Sequence, residues 1–246
     1  PGMKHRFHVP GLPGSSNRAV VDGAEARHLM GVVRLGPGDE VELFDGEGRA
    51  ARAEILGGSK REVELAILEW REDPPAEGPE IVLATAVPKG DRYRSLVEKA
   101  TELGVDRLIP LRTRHSVVHP GDGKQNKMRH AVIGACKQSG RNRLMTLDTM
   151  ISWDELLSDG GQDLVIGQRG GAAAAAVVAE RCANPRTQRI VLCVGPEGGW
   201  TDAETDAARQ AGAHLVGLGE HVLRIETAGV ALASLVASQR SADQAG

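Results

Sequence analysis

A change of pattern at a proline-rich stretch constrains this chain more than any other feature. Residues 72–79, Glu-Asp-Pro-Pro-Ala-Glu-Gly-Pro, hold three prolines and a glycine, and no strand or helix continues through such a run. Before it lie short alternating segments. Arg6–Val9 is a candidate strand, followed by a helical spacing of apolar residues over Glu25–Arg34. Glu40–Phe44, Arg49–Leu56 and Glu62–Leu68 then alternate, with turns at Gly36–Asp39 and Asp45–Gly48. Strands at this spacing predict a small β-barrel over residues 1–73. After the linker, continuous apolar runs alternate with amphipathic ones. Ile81–Val87, Leu108–Leu111, Asp163–Gly167, Arg189–Gly195 and His214–Leu218 are strand candidates. Asp91–Leu103, Asn126–Ser139, Ala172–Cys182, Asp202–Ala211 and Ile225–Gln239 are helix candidates. Apolar runs without alternation mark strands covered on both faces, so residues 80–246 are expected to form an α/β domain on a parallel sheet.

Composition narrows the function classes. The chain has two Phe, three Trp and one Tyr among 246 residues, too few for a binder that stacks bases on aromatic platforms. Cys136, Cys182 and Cys193 are odd in number and lack CxxC spacing, and the eight His form no HxxxH pair, so neither a disulfide framework nor a metal site is expected. No apolar run has the length of a membrane span, and Pro1-Gly2-Met3-Lys4 carries no apolar leader; a cytoplasmic protein is expected. Net charge is -3, yet residues 84–143 carry 13 Lys/Arg against 5 Asp/Glu. A basic block between two acidic ones suits a phosphate-facing surface.

Two strand candidates end in glycine turns: Gly195-Pro196-Glu197-Gly198-Gly199 after Arg189–Val194, and Leu218-Gly219 running to Leu223-Arg224 after His214–Gly217. In an open parallel sheet ligands bind beyond the carboxyl ends of the strands, and glycines there let backbone approach a ligand closely. Neither turn is a Walker loop or a GxGxxG fingerprint, which disfavours a pyrophosphate cofactor. Thr201 and Glu204 have the spacing of a capping box that starts a helix.

These turns carry a resemblance. Gly195–Thr201, with Leu218-Gly219 and Leu223-Arg224-Ile225-Glu226-Thr227-Ala228, resembles the SPOUT methyltransferases, and more narrowly the RsmE family, which methylates uridine N3 in 16S ribosomal RNA. Pro88-Lys89-Gly90-Asp91 with Glu98–Val105, and Gln138-Ser139-Gly140-Arg141, are similar to that family's earlier stretches. Arg27–Leu35, Gly38-Asp39-Glu40 and Asp45-Gly46 are similar to its PUA-like N-terminal domain. Three positions depart from the family pattern: Lys137 where an acidic residue is usual, His8 where an aromatic is, and Ile225 where Thr is.

The resemblance implies a SPOUT-type trefoil-knotted domain after a PUA-like β-barrel, a homodimer with the active site at the subunit interface, and S-adenosyl-L-methionine as cofactor. It implies cofactor contacts from Gly195, Pro196, Glu197, Gly198, Gly199, Leu218, Gly219, Leu223, Arg224 and Thr227, with Leu218 and Leu223 beside the adenine. Arg224 and Glu226 are the catalytic candidates, Arg224 to stabilise an anion on the base. No residue stands out as a catalytic base. For RNA, Arg6, Arg34, Lys89, Arg92, Arg94, Arg112, Arg114 and Arg141 are the candidates, since a planar guanidinium pairs with phosphate and stacks on bases. The substrate implied is 16S RNA, either naked or in the small ribosomal subunit. Two alternatives compete: an enzyme acting on a ribose 2′-hydroxyl or on transfer RNA, and an RNA-binding module without catalysis.

Overall fold

The computed structural model describes residues 5–12, 14, 16–74, 78–118 and 122–243, with side chains at 122–124 and 241–243 not described. Linker residues 75–77 and the start Pro1–Lys4 therefore lie outside the described residues. The chain divides into two compact units, Pro1–Pro75 with Cys136–Leu144, and Ala76–Ala135 with Met145–Gly246.

The first unit is a curled five-stranded sheet in the order β1-β3-β4-β5-β2. Its strands are β1 (Arg6–His8), β2 (Arg18–Asp22), β3 (Glu40–Phe44), β4 (Arg49–Gly58) and β5 (Glu62–Glu72). All pairs are antiparallel except β1 with β3. Two register shifts between β4 and β5 bend the ladder, as bulges do. Alternate residues such as Val41, Leu43, Ala53, Ile55, Val63 and Leu65 are buried on one face with Phe7 and Leu29. The helix expected over 25–34 is instead α1 (Gly23–Arg27) followed by a π-helical turn, His28–Val33, which Arg34 ends at φ 61°. Periodicity finds a helix here but cannot tell one hydrogen-bond register from another.

The same unit holds Cys136–Leu144. Arg6 donates to the Cys136 carbonyl at 2.6 Å and to Glu42 at 2.8 Å, and also to Asn142. Leu144 N–H donates to the Gly46 carbonyl at 2.9 Å. The Gln138–Arg141 stretch is thus counted with the first unit, which a boundary drawn at the linker alone does not show.

The second unit is a parallel sheet in the order β12-β10-β11-β6-β7-β8, with β9 pairing β7. The strands are β6 (Glu80–Thr85), β7 (Arg107–Arg112), β8 (Thr146–Leu147), β9 (Ile151–Ser152), β10 (Asp163–Ala173), β11 (Arg189–Val194) and β12 (His214–Gly217). The helices are α2 (Arg92–Glu102), α3 (Asp122–Ser139), α4 (Trp153–Ser158), α5 (Ala174–Ala183), α6 (Asp202–Gln210) and α7 (Ile225–Asp243). The last residues of α3, from Cys136, belong to the first unit. Strands β6 and β11 are buried on both faces. Val82, Ala84, Val191 and Cys193 pack with Trp153 of α4 and Ala208 of α6, while α7 lies over β6 and β11 and packs on α2 and α5. That approach is close: a Cβ on Gly229 of α7 would sit 2.9 Å from Leu96 Cδ1 of α2. Arg240 holds the far end of α7 through Asp106 at 2.8 Å and the Gly104 carbonyl at 3.1 Å.

Candidate functional site

Strand β10 lies between β12 and β11, so the turns that leave β11 and β12 flank it at the carboxyl edge of the sheet. Together they enclose a cavity of about 440 Å³, lined by Gly167–Arg169, Val194–Trp200, Leu218, Gly219, His221–Ile225 and Ala228. This is where an open parallel sheet places its ligands, and the volume suits a small organic molecule.

The first turn is packed at two of its glycines and braced by its own hydrogen bonds. Gly199 N–H donates to the Pro196 carbonyl at 2.8 Å, and Gly199 sits at φ 72°, which glycine adopts without strain. A Cβ on Gly195 would stand 2.9 Å from the Trp200 ring, and one on Gly198 would stand 3.0 Å from His115 Cβ. The Trp200 indole donates to the Gly167 carbonyl at 3.0 Å and lies 4.5 Å from the Trp153 ring. The expected capping box is present: Thr201 accepts from Glu204 N–H, and the Glu204 carboxylate accepts from Thr201 N–H at 2.8 Å. The other Glu204 oxygen accepts from Arg114 N–H at 2.8 Å.

The second turn is open. Gly219 has φ 110° and nothing near the place its Cβ would take; Val222 is 73% exposed although it lines the cavity. Ala228 N–H donates to the Arg224 carbonyl at 2.9 Å and begins α7. One cation spans both turns. Arg92, at the start of α2, lies 3.5 Å from Glu197 of the first turn and 3.8 Å from Glu226 just after the second.

Comparison with known proteins agrees with this architecture. Residues 76–237 match the family model described as an RNA methyltransferase domain, and residues 21–68 match an RNA methyltransferase PUA domain. Ribosomal RNA small subunit methyltransferase E of Mycobacterium tuberculosis is 32% identical over 237 residues, covering 90% of this chain and 87% of that protein. This chain belongs to that methyltransferase family. The Bacillus subtilis member is 29% identical over 231 residues, covering 89% of each chain. The crystal structure of the Neisseria gonorrhoeae member bound to S-adenosyl methionine superposes with a TM-score of 0.83 at 30% identity, covering 96% of each chain.

Within this family member the candidate residues fall into distinct places. Gly195–Gly199, Leu218, Gly219, Leu223 and Arg224 all line the cavity, whereas Thr227 is exposed and lies off its wall. Glu226 is also off the wall: its side chain is 17% exposed, and Oε2 is buried without a hydrogen-bond partner, facing only Arg92. Arg92 therefore ties the two turns rather than standing free. Lys89, Arg112 and Arg114 are exposed, and Arg94 is exposed but pairs with Glu98 at 2.8 Å.

In the first unit, Arg34 is exposed at its left-handed position and Arg141 is half-buried. Arg6 departs from its expected role. Its side chain is 7% exposed, pairs with Glu42, and lies 4.7 Å from the centre of the Phe44 ring. That guanidinium is taken up by partners within the first unit.

Two departures from the family pattern are absorbed locally. Lys137 donates to both oxygens of Glu25 at 2.6 Å, so its charge is compensated within the first unit. His8 packs on Phe44 at 5.3 Å as an aromatic would, and burial lowers its pKa from the usual histidine range. Burial also pushes the Cys193 thiol up, which keeps it protonated and inert as a nucleophile.

Sequence reasoning missed Gln168 and Arg169, which reach the cavity from β10. It also passed over Trp200 as the support of the first turn. A signal for the former was available in Gly170-Gly171 interrupting a strand, where paired glycines mark a bulge.

Proposed function

We propose that this protein binds S-adenosyl-L-methionine in the cavity at the carboxyl edge of β10, β11 and β12, and methylates N3 of a uridine in 16S ribosomal RNA. The observation that carries the reading is the convergence of both glycine turns on one cavity of about 440 Å³. The residues present suit this cofactor. Half-buried Leu218 and Leu223 offer apolar contacts for an adenine, and the glycine turns bring backbone groups to the cavity without side chains in the way.

S-adenosylmethionine, when bound, supplies a methyl group activated by its sulfonium. This chain's residues must then position the uridine and deal with the proton on N3, because the protonated nitrogen is a poor nucleophile. Arg224 lines the cavity, and its side chain has no hydrogen-bond or ion-pair partner among the described residues. Its guanidinium is placed to stabilise negative charge developing on the uracil carbonyl oxygens. Glu226, drawn toward Arg92 and away from the cavity wall, is better suited to fixing the start of α7 than to touching the base.

The rest of the reading follows the family. Residues 1–73 act as a PUA-like RNA-binding domain and 80–246 as a knotted methyltransferase domain, in a cytoplasmic homodimer acting on the small ribosomal subunit. Lys89, Arg112, Arg114, Arg34 and Arg141 are proposed RNA contacts, with Arg94 contributing through exchange with Glu98. Nucleoside mass spectrometry of 16S RNA from a deletion strain tests the substrate. Loss of 3-methyluridine, restored by the wild-type gene and not by Arg224→Ala, is expected; unchanged 3-methyluridine would refute the assignment.

A further inference from the structure

Strand β10 is interrupted where it reaches the cavity. Gly167 and Ala172 both pair with Val216 of β12, so residues 168–171 leave the ladder as a four-residue excursion. Two glycines make the excursion possible. Gly170 sits at φ 74°, and a Cβ on Gly171 would stand 2.6 Å from the Leu215 carbonyl oxygen. The excursion delivers Gln168 and Arg169 to the cavity wall. Bulges of this kind re-aim side chains beside functional sites.

Arg169 is exposed and its side chain has no hydrogen-bond or ion-pair partner among the described residues, unlike Arg92, which pairs with two carboxylates. Arg169 sits on the central strand of the three that form the site, between the two turns. Building on the cofactor reading above, we propose that Arg169 anchors the carboxylate of the cofactor's methionine tail. A planar fork of donors matches a carboxylate in two parallel hydrogen bonds, and such an anchor fixes the tail while the adenine occupies the apolar side of the cavity. The glycine bulge is then a device for bringing one guanidinium to that tail.

Calorimetric titration of S-adenosylhomocysteine and of 5′-methylthioadenosine, which lacks the amino-acid tail, separates the possibilities. With Arg169→Ala, S-adenosylhomocysteine is expected to bind roughly 10- to 100-fold more weakly, as for a lost charge-assisted hydrogen bond. Affinity for 5′-methylthioadenosine is expected to stay as in the wild type, and Arg169→Lys to recover part of the loss. Equal weakening of both ligands, or of neither, would overturn the proposal. So would a defect confined to RNA binding, which would assign Arg169 to a phosphate. Failure of the wild-type protein to bind S-adenosylhomocysteine would instead remove the cofactor reading itself.

Discussion

The two glycine turns that form the cavity are built on opposite principles. In the first, Gly195 and Gly198 are small because Trp200 and His115 occupy the space a side chain would need. Its exit is locked by the Thr201–Glu204 capping box. In the second, Gly219 has open space around it and Val222 is largely exposed. One turn is fixed by packing within the protein; the other has open space beside it. A rigid wall facing an adaptable one suits a site that must grip a cofactor yet admit and release it, since mobile elements are drawn from the least packed parts of a fold.

Substitutions sort the two turns by whether stability or affinity responds. The largest effect is expected for Trp200→Ala, which removes the ring against Gly195 and Trp153 and the bond to Gly167. About 3 kcal/mol of stability should go, a Tm fall of roughly 6–12 °C by calorimetry. Gly195→Ala places a Cβ against the same ring and is expected to cost about 2 kcal/mol by overpacking, read in the same scan. Thr201→Ala removes one half of the capping box and should cost about 1 kcal/mol, with cofactor affinity unchanged because Thr201 is off the cavity wall. Val222→Glu in the second turn should shift stability by less than about 0.5 kcal/mol, as for an exposed site, while weakening S-adenosylmethionine binding. If Val222→Glu lowered Tm as much as Gly195→Ala, the contrast between the turns would collapse.

Much of this was legible in the residues themselves. The continuous apolar run at 81–87 and the strand pattern at 189–195 mark strands that lie side by side as β6 and β11. Both glycine turns reach one cavity, although β10 separates the two strands that the sequence suggests are neighbours. What was hidden depends on partners distant in sequence. Nothing local tells that Arg6 would spend its charge on Glu42 and the Cys136 carbonyl, 130 residues away. Likewise Arg92 has the look of any basic surface residue until Glu197 and Glu226 are brought beside it. Helix α4 has a sequence signal of its own, since Ser152 and Glu155 form a capping box as good as the one at Thr201. Strand β10 runs on to Ala173, past the Gly167 end that periodicity gives it, because the pattern breaks at the glycines of its bulge.

The most direct test of the cavity as cofactor site is calorimetric titration of S-adenosylmethionine into three proteins: the wild type, Leu223→Asp on the wall, and Thr201→Ala off it. Binding by the wild type and by Thr201→Ala, with loss of binding in Leu223→Asp at unchanged fold, is the predicted result. Equal binding by all three, or none by the wild type, would contradict the account.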